Sequence, residues 1–101
     1  MAKEIDWTQE ALRTYVGIVQ HLAAHWTKRE VDKFDREVDS TLAVITVFPR
    51  AFRSSGSASI REAYIPPYHL LIYRIAPGRV ELLTFWDTRR DPRRKPRFRH
   101  H

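Results

Sequence analysis

The spacing of apolar residues changes once along the chain, and the change divides it into a helical half and a strand half. In the first half Leu12, Tyr15, Val19, Leu22 and Trp26 recur at intervals of three and four, one face of a helix over "QEALRTYVGIVQHLAAHW". Thr8 stands at the N-cap, and the alternating Ile5-Asp6-Trp7 before it reads as a short strand. Thr27 and Glu30 form the T-x-x-E pattern of a capping box. A second helix should therefore run from Lys28 to about Val47, stopped by Pro49. Val31, Phe34, Val38, Leu42 and Ile45 share its inner face, with Lys28–Asp32, Asp32–Arg36 and Lys33–Glu37 as i,i+4 pairs outside. Almost nothing separates the two helices, so they must fold back as an antiparallel hairpin.

The second half alternates. "RAFRSSGSAS" reads as a loop, and "SIREAYI" as a strand closed by Pro66-Pro67, which cannot donate to a sheet ladder. "YHLLIYRIA" and "RVELLTFW" form a hairpin about Pro77-Gly78. Placing Ala76 opposite Arg79 sets Arg74 against Glu81, Tyr73 against Leu82 and Leu71 against Thr84. This register is supported by an opposite-charge cross-strand pair. One face of the hairpin then carries Leu71, Tyr73, Ile75, Val80, Leu82 and Trp86 and should meet the helices. The other carries Leu70, Ile72, Arg74, Glu81, Leu83 and Phe85, apolar enough to predict a partner that covers it. The fold class is α+β: a short N-terminal strand, then a two-helix hairpin packed on a small antiparallel sheet, in the order β-α-α-β-β-β.

Charge adds an asymmetry. Residues 89 to 101 hold seven of the 18 basic side chains and one of the 12 acidic ones, which accounts for the whole net charge of +6. The first 88 residues are neutral in sum. Such a segment suits nucleic acid or an acidic protein partner, or is a solvated end. Residues 1–94 read as the domain and 95–101 as a basic tail, disordered or in part the stub of a purification tag at His100-His101. The absence of cysteine excludes disulfides, a thiolate nucleophile and a Cys-based zinc site. No apolar run is long enough to span a membrane, and the N-terminus has no signal-peptide h-region, so a cytoplasmic protein with no membrane partner is expected. His21 and His25 have a metal-compatible i,i+4 spacing but no third ligand placed beside them, and no metal or other cofactor is predicted.

This order of elements, with "IDWTQEAL" at 5–12, "FP" at 48–49, "REAYI" at 61–65, "LIYRI" at 71–75 and "RVELLTFWDTRRDP" at 79–92, resembles the RelE/ParE superfamily of bacterial toxins. These are the toxic halves of type II toxin–antitoxin pairs, and the likeness covers about residues 4 to 94. The resemblance implies a microbial-ribonuclease-like fold and a cognate antitoxin. It also implies one of two activities: ParE-like poisoning of DNA gyrase, or RelE-like endonucleolytic cleavage of mRNA on the ribosome. A non-toxic basic module that binds nucleic acid or protein is the third reading. RNA cleavage needs groups that move the 2′-OH proton, stabilise the phosphate and assist the leaving oxygen. By position in the family, Arg61 and Arg90 match two cationic sites, and His69 is a candidate acid/base group. The family's middle-strand arginine falls at Leu70, its second lysine at Ala63, and Asp87 stands near the place of a histidine. The ParE-like reading demands less catalytic machinery and suits the long helical hairpin. Arg89, Arg90, Arg93 and Arg94 are the expected target contacts, Arg89 and Arg90 held close to the sheet and the later ones freer after Pro92. Leu70, Ile72, Arg74, Leu83 and Phe85 are the expected antitoxin contacts, and Tyr64 and Phe98 are exposed aromatics that either stack on a base or equally contact the antitoxin.

Overall fold

Thr8 ties the first helix to the last strand. Its hydroxyl accepts from the Ala11 N–H at 3.1 Å as an N-cap and donates to the Leu82 carbonyl at 2.7 Å. In the computed structural model, which describes residues 2–98, this junction organises the whole element order. β1 (Glu4–Trp7) leads into α1 (Gln9–His25) and α2 (Lys28–Val47). Then follow β2 (Arg53–Ser54), β3 (Ile60–Ile65), β4 (His69–Ala76), β5 (Arg79–Asp87) and a 3₁₀ turn at Pro92–Arg94. The fold class is the α+β arrangement read from the sequence. Two details are added: β1 joins the sheet parallel to β5, and the expected loop contains β2, so the sheet is mixed, with order β1-β5-β4-β3-β2.

α2 buries the predicted stripe, with Phe34, Val38 and Ile45 fully enclosed and Val31 and Leu42 packed against the same core. The capping box is present, the Thr27 N–H donating to Glu30 Oε2 at 3.2 Å, and the Lys28–Asp32 pair closes at 2.8 Å. α1 is rotated from its predicted face. Ala11 and Leu22 are buried and Tyr15, Ile18 and Val19 pack beside them, whereas Leu12 is 52% and Trp26 56% exposed. Leu12 and Ala11 are adjacent, and the small residue is the one enclosed in the core between helices and sheet.

The β4–β5 ladder follows the predicted register from Ala76↔Arg79 through Tyr73↔Leu82, including Arg74↔Glu81, and Gly78 supplies the turn with φ 74°. A bulge then intervenes between Ile72 and Tyr73, so that Ile72 faces Thr84, Leu71 faces Phe85 and Leu70 faces Trp86. A single extra residue on β5 reverses every later side chain. Phe85 therefore lies under the helices, within 5.8 Å of Trp7 and 5.6 Å of Tyr15 between ring centroids. Trp86 joins Ile60, Leu70, Ile72 and Leu83 on the opposite face. This corrects the expectation that Trp86 faces the helices and Phe85 faces away.

β1 ends at Trp7, so β5 has no strand beside it beyond Leu82. Thr14 of α1 fills that place: its hydroxyl accepts from the Phe85 N–H at 3.0 Å. Among the described residues no helix is long and apolar enough to cross a membrane.

Candidate functional site

The sheet face away from the helices is closed by the chain itself. Leu70, Ile72 and Leu83 are buried, and Phe98 packs against them. The carboxylate of Glu62, 4% exposed on the same face, is held from three directions. Arg53 donates twice to Oε1, at 3.0 and 2.7 Å, Ser55 donates to Oε2 at 2.6 Å, and Lys95 reaches Oε2 from the C-terminal segment. Burial opposes ionisation, but these hydrogen bonds outweigh it and hold the carboxyl below the ordinary glutamate value. The basic segment expected to run free beyond Arg94 thus folds back as a strap as far as Phe98; Arg99, His100 and His101 lie outside the described residues. Of the expected antitoxin contacts, Leu70, Ile72 and Leu83 lie under this strap and Arg74 pairs with Glu81 at 3.3 Å on the same side. Phe85 lies in the helix-side core and is not part of this surface.

At the end of β5, Asp87 arranges the rim. Its carboxylate accepts the Arg89 N–H at 2.8 Å and both halves of a bidentate contact from Arg89 Nε and Nη2, at 3.2 and 2.9 Å. Burial alone would raise the Asp87 carboxyl; the Arg89 hydrogen bonds win and hold it below its ordinary range. The same guanidinium lies 3.6 Å from the centre of the Tyr68 ring. Thr88 clips this end of the hairpin shut, its N–H and hydroxyl both donating to the Tyr68 carbonyl at 2.8 Å. Arg90 sits 4.9 Å from the Trp86 ring centre and carries no ion pair among the described residues. Of the two rim arginines, Arg89 is neutralised and Arg90 is an aromatic-backed cation with its charge available. Arg93 is paired with Asp91 at 3.0 Å and exposed.

Of the three candidate catalytic groups, His69 and Arg90 line one cleft between α1 and the end of β5, and Arg61 is set apart from them. Arg61 is directed to the helix side of the sheet's β2 edge. It donates to the carbonyls of Ala58 at 3.0 Å, Phe52 at 2.9 Å and Arg50 at 3.5 Å, which fixes the loop before β3 and uses up most of its donors. His69 faces the same side at the far end of the ladder: Arg61 pairs with Tyr73 and His69 with Ile65, four positions apart, about 13 Å along a strand. His69 is 3% exposed, its ring edge-on to Phe34 at 5.3 Å, and burial holds its pKa below the ordinary histidine value, with Arg89 and His21 adding to that and Asp87 opposing it. Arg90 lies at the rim. The His21 and His25 rings stack at 4.4 Å, and one ring nitrogen of His25 lies 3.0 Å from the His21 carbonyl.

Sequence reading missed Glu62, Lys95 and the covering role of Phe98. A signal for the first was present: Ile60, Glu62 and Tyr64 alternate onto the face of Leu70 and Ile72, and a carboxylate there needs a cation brought to it.

The architecture has known counterparts. A chain of the chromosomal ParDE toxin–antitoxin system from P. aeruginosa superposes with a TM-score of 0.72 at 13% identity, over 85% of this chain and 96% of that one. The YoeB dimer from Staphylococcus aureus gives 0.58 at 12% identity over 83% and 94%. The E. coli DinJ–YafQ toxin–antitoxin complex gives 0.57 at 12% over 86% and 93%. At these identities the likeness is one of fold. Comparison with curated sequences gives no significant match. The family model described as "ParE toxin of type II toxin-antitoxin system, parDE" matches residues 5–92, which takes in both helices and all of the five-stranded sheet but Glu4, and the chain belongs to that family.

Proposed function

We propose that the chain is a growth-inhibiting toxin that acts in the cytoplasm as a ParE-like poison of DNA gyrase and is neutralised by a cognate antitoxin. The observation that carries the choice of target is the separation of Arg61 from His69 and Arg90. Cleavage of mRNA requires proton transfer and phosphate stabilisation at one bond; Arg61 is spent on backbone carbonyls at the β2 edge, and His69 is 3% exposed. Poisoning a nucleoprotein complex requires a fixed surface instead. Arg90 against Trp86 supplies one, because a preorganised cation loses little freedom on contact with a carboxylate or phosphate. The antitoxin contact then falls on Leu70, Ile72, Arg74 and Leu83, reached by lifting the strap: a carboxylate of an acidic partner segment takes Lys95 from Glu62.

Incubating the purified chain with gyrase and supercoiled plasmid should trap cleaved DNA complexes, and induced cells should filament. Ribosome-dependent cuts in mRNA without trapped gyrase complexes would establish the RelE-like reading in its place, and normal growth on induction would favour a non-toxic binding module. Arg90→Ala should reduce growth arrest with an unchanged melting temperature, whereas Arg93→Ala and Arg94→Ala should have smaller effects that vanish at high salt.

A further inference from the structure

Two cavities adjoin on the helix side of the sheet, away from the covered strip. One, a cleft of about 300 Å³ between α1 and the end of β5, is lined by Arg13, Thr14, His21, Asp87, Arg89 and Arg90 among others. The second, a slot of about 180 Å³, is walled mainly by Trp26, Phe34, Pro66 and Pro67, with Glu30 and Lys33 as its charged members. Leu22, Tyr68 and His69 belong to both. The ends differ in chemistry: three arginines against one carboxylate in the cleft, aromatic and proline surfaces in the slot. His69 stands at the junction, 3% exposed, and its buried Nδ1 has no hydrogen-bond partner.

The arginines are not exhausted by their ion pairs. Arg13 gives Nε and Nη2 to Glu10, and Arg89 gives Nε and Nη2 to Asp87, so each keeps its Nη1 side; Arg90 keeps its whole fork. Guanidinium groups from a helix and from the end of a strand suit a tetrahedral oxyanion. Trp26, 56% exposed at the edge of the slot, offers an indole face with nothing in the core depending on it.

We propose that these cavities form one nucleotide-binding site, the cationic cleft taking the phosphate and the aromatic slot taking the base, with Tyr68 and His69 walling the junction between them. A simple anion would leave the slot unused, and an apolar side chain would leave the cleft unused. Together the two volumes fall within the roughly 300–1,000 Å³ of small-ligand sites. The inference does not depend on whether gyrase or the ribosome is the target.

The test is an NMR titration of the full chain with AMP, adenosine, inorganic phosphate and a short single-stranded oligonucleotide. AMP should bind at least tenfold more tightly than either adenosine or phosphate, with shifts at His69, Tyr68 and Trp26. An oligonucleotide that binds tenfold more tightly than AMP identifies a nucleic-acid strand as the source; equal or weaker binding identifies a free nucleotide. Gly17 lines the cleft, and a Cβ there meets nothing within 4 Å, so Gly17→Phe should fill the cleft and weaken AMP and phosphate at least tenfold in a chain that melts normally. Trp26→Ala, on an exposed side chain, should weaken AMP about tenfold by removing one stacked surface and leave phosphate binding unchanged. Phosphate binding as tight as AMP, no shift with any probe at millimolar concentration, or unchanged AMP affinity in both variants would overturn the proposal.

Discussion

The two faces of the sheet are sealed by opposite means. On one side, helices of 17 and 20 residues lay Tyr15, Phe34, Val38 and Ile45 over the strands, and Phe85 stands inside that layer among Trp7, Tyr15 and Phe34. On the other, a short segment after a 3₁₀ turn covers Leu70, Ile72 and Leu83 with one lysine and one phenylalanine. The first cover is held by interdigitated apolar surface, which cannot be withdrawn without unfolding. The second rests on a buried ion pair and one partly buried ring, contacts that another carboxylate and another apolar side chain can replace. A sheet protected on one face by its core and on the other by an exchangeable strap is stable alone yet able to offer an apolar surface.

The largest expected effect tests the first half of that contrast. Phe85→Ala should lower stability by about 3–5 kcal/mol, read by denaturant melts, because it opens a cavity inside the helix layer. If Phe85 lay on the strap side, as a hairpin without a bulge would place it, the loss would be much smaller. A smaller loss, about 1–3 kcal/mol, is expected for Lys95→Ala, since Glu62 keeps Arg53 and Ser55 but one oxygen loses its charged donor. Binding of an apolar fluorescent dye should rise in this variant while circular dichroism stays native; a cooperative loss of helix signal would show that the strap is part of the core after all.

The smallest effect separates the faces by pH. The His69 pKa is held below its ordinary value in the folded chain, so the unfolded chain takes up the proton first, near pH 6.5. Stability should therefore be full above that pH and fall as the pH drops below it, and His69→Gln should flatten this slope. Glu62 and Asp87, held low, contribute stability that is present above their ordinary values and lost only as the pH falls below about 4.5. Acid should then weaken the helix side before the strap; a strap that opens first, seen by dye binding near pH 6, would contradict the assignment.

What the sequence disclosed follows the reach of each signal. The α2 stripe, the capping box and the first turns of the β4–β5 ladder are local, and all are found in place. The bulge is not local: "VELLTFW" carries apolar residues at both parities, so the pattern does not say where the register breaks, and one unpaired residue moved Phe85 and Trp86 to opposite faces. On α1, the three-and-four spacing counted Leu12 into the inner face, but the fold encloses its neighbour Ala11 and leaves Leu12 half exposed, because spacing alone does not fix the rotation of a helix on its sheet. Among the site residues, Arg89 and Arg90 were legible from their distance to the strand end. Arg61 and His69 were not placed, because strand parity alone does not tell which face the helices will cover. The strap was hidden for a different reason: a run of arginines and prolines reads as solvated chain unless Glu62 is recognised as a buried charge in need of a cation.

The hydrogen bond from the Phe85 N–H to Thr14 has a consequence for how copies of the chain meet. A strand with unpaired amides is a template on which another strand can grow. Here the outermost strands, β1 and β2, are four and two residues long, and β2 carries Arg53. The stretch of β5 that β1 leaves uncovered is occupied by threonine hydroxyls instead of being left open. Each of these features shortens the row of amides on which a foreign strand could be templated. Loss of the Thr14 hydroxyl would leave the helix α1 in place but strip the Phe85 amide of its acceptor, giving the molecule a point at which sheet could extend from one copy to the next.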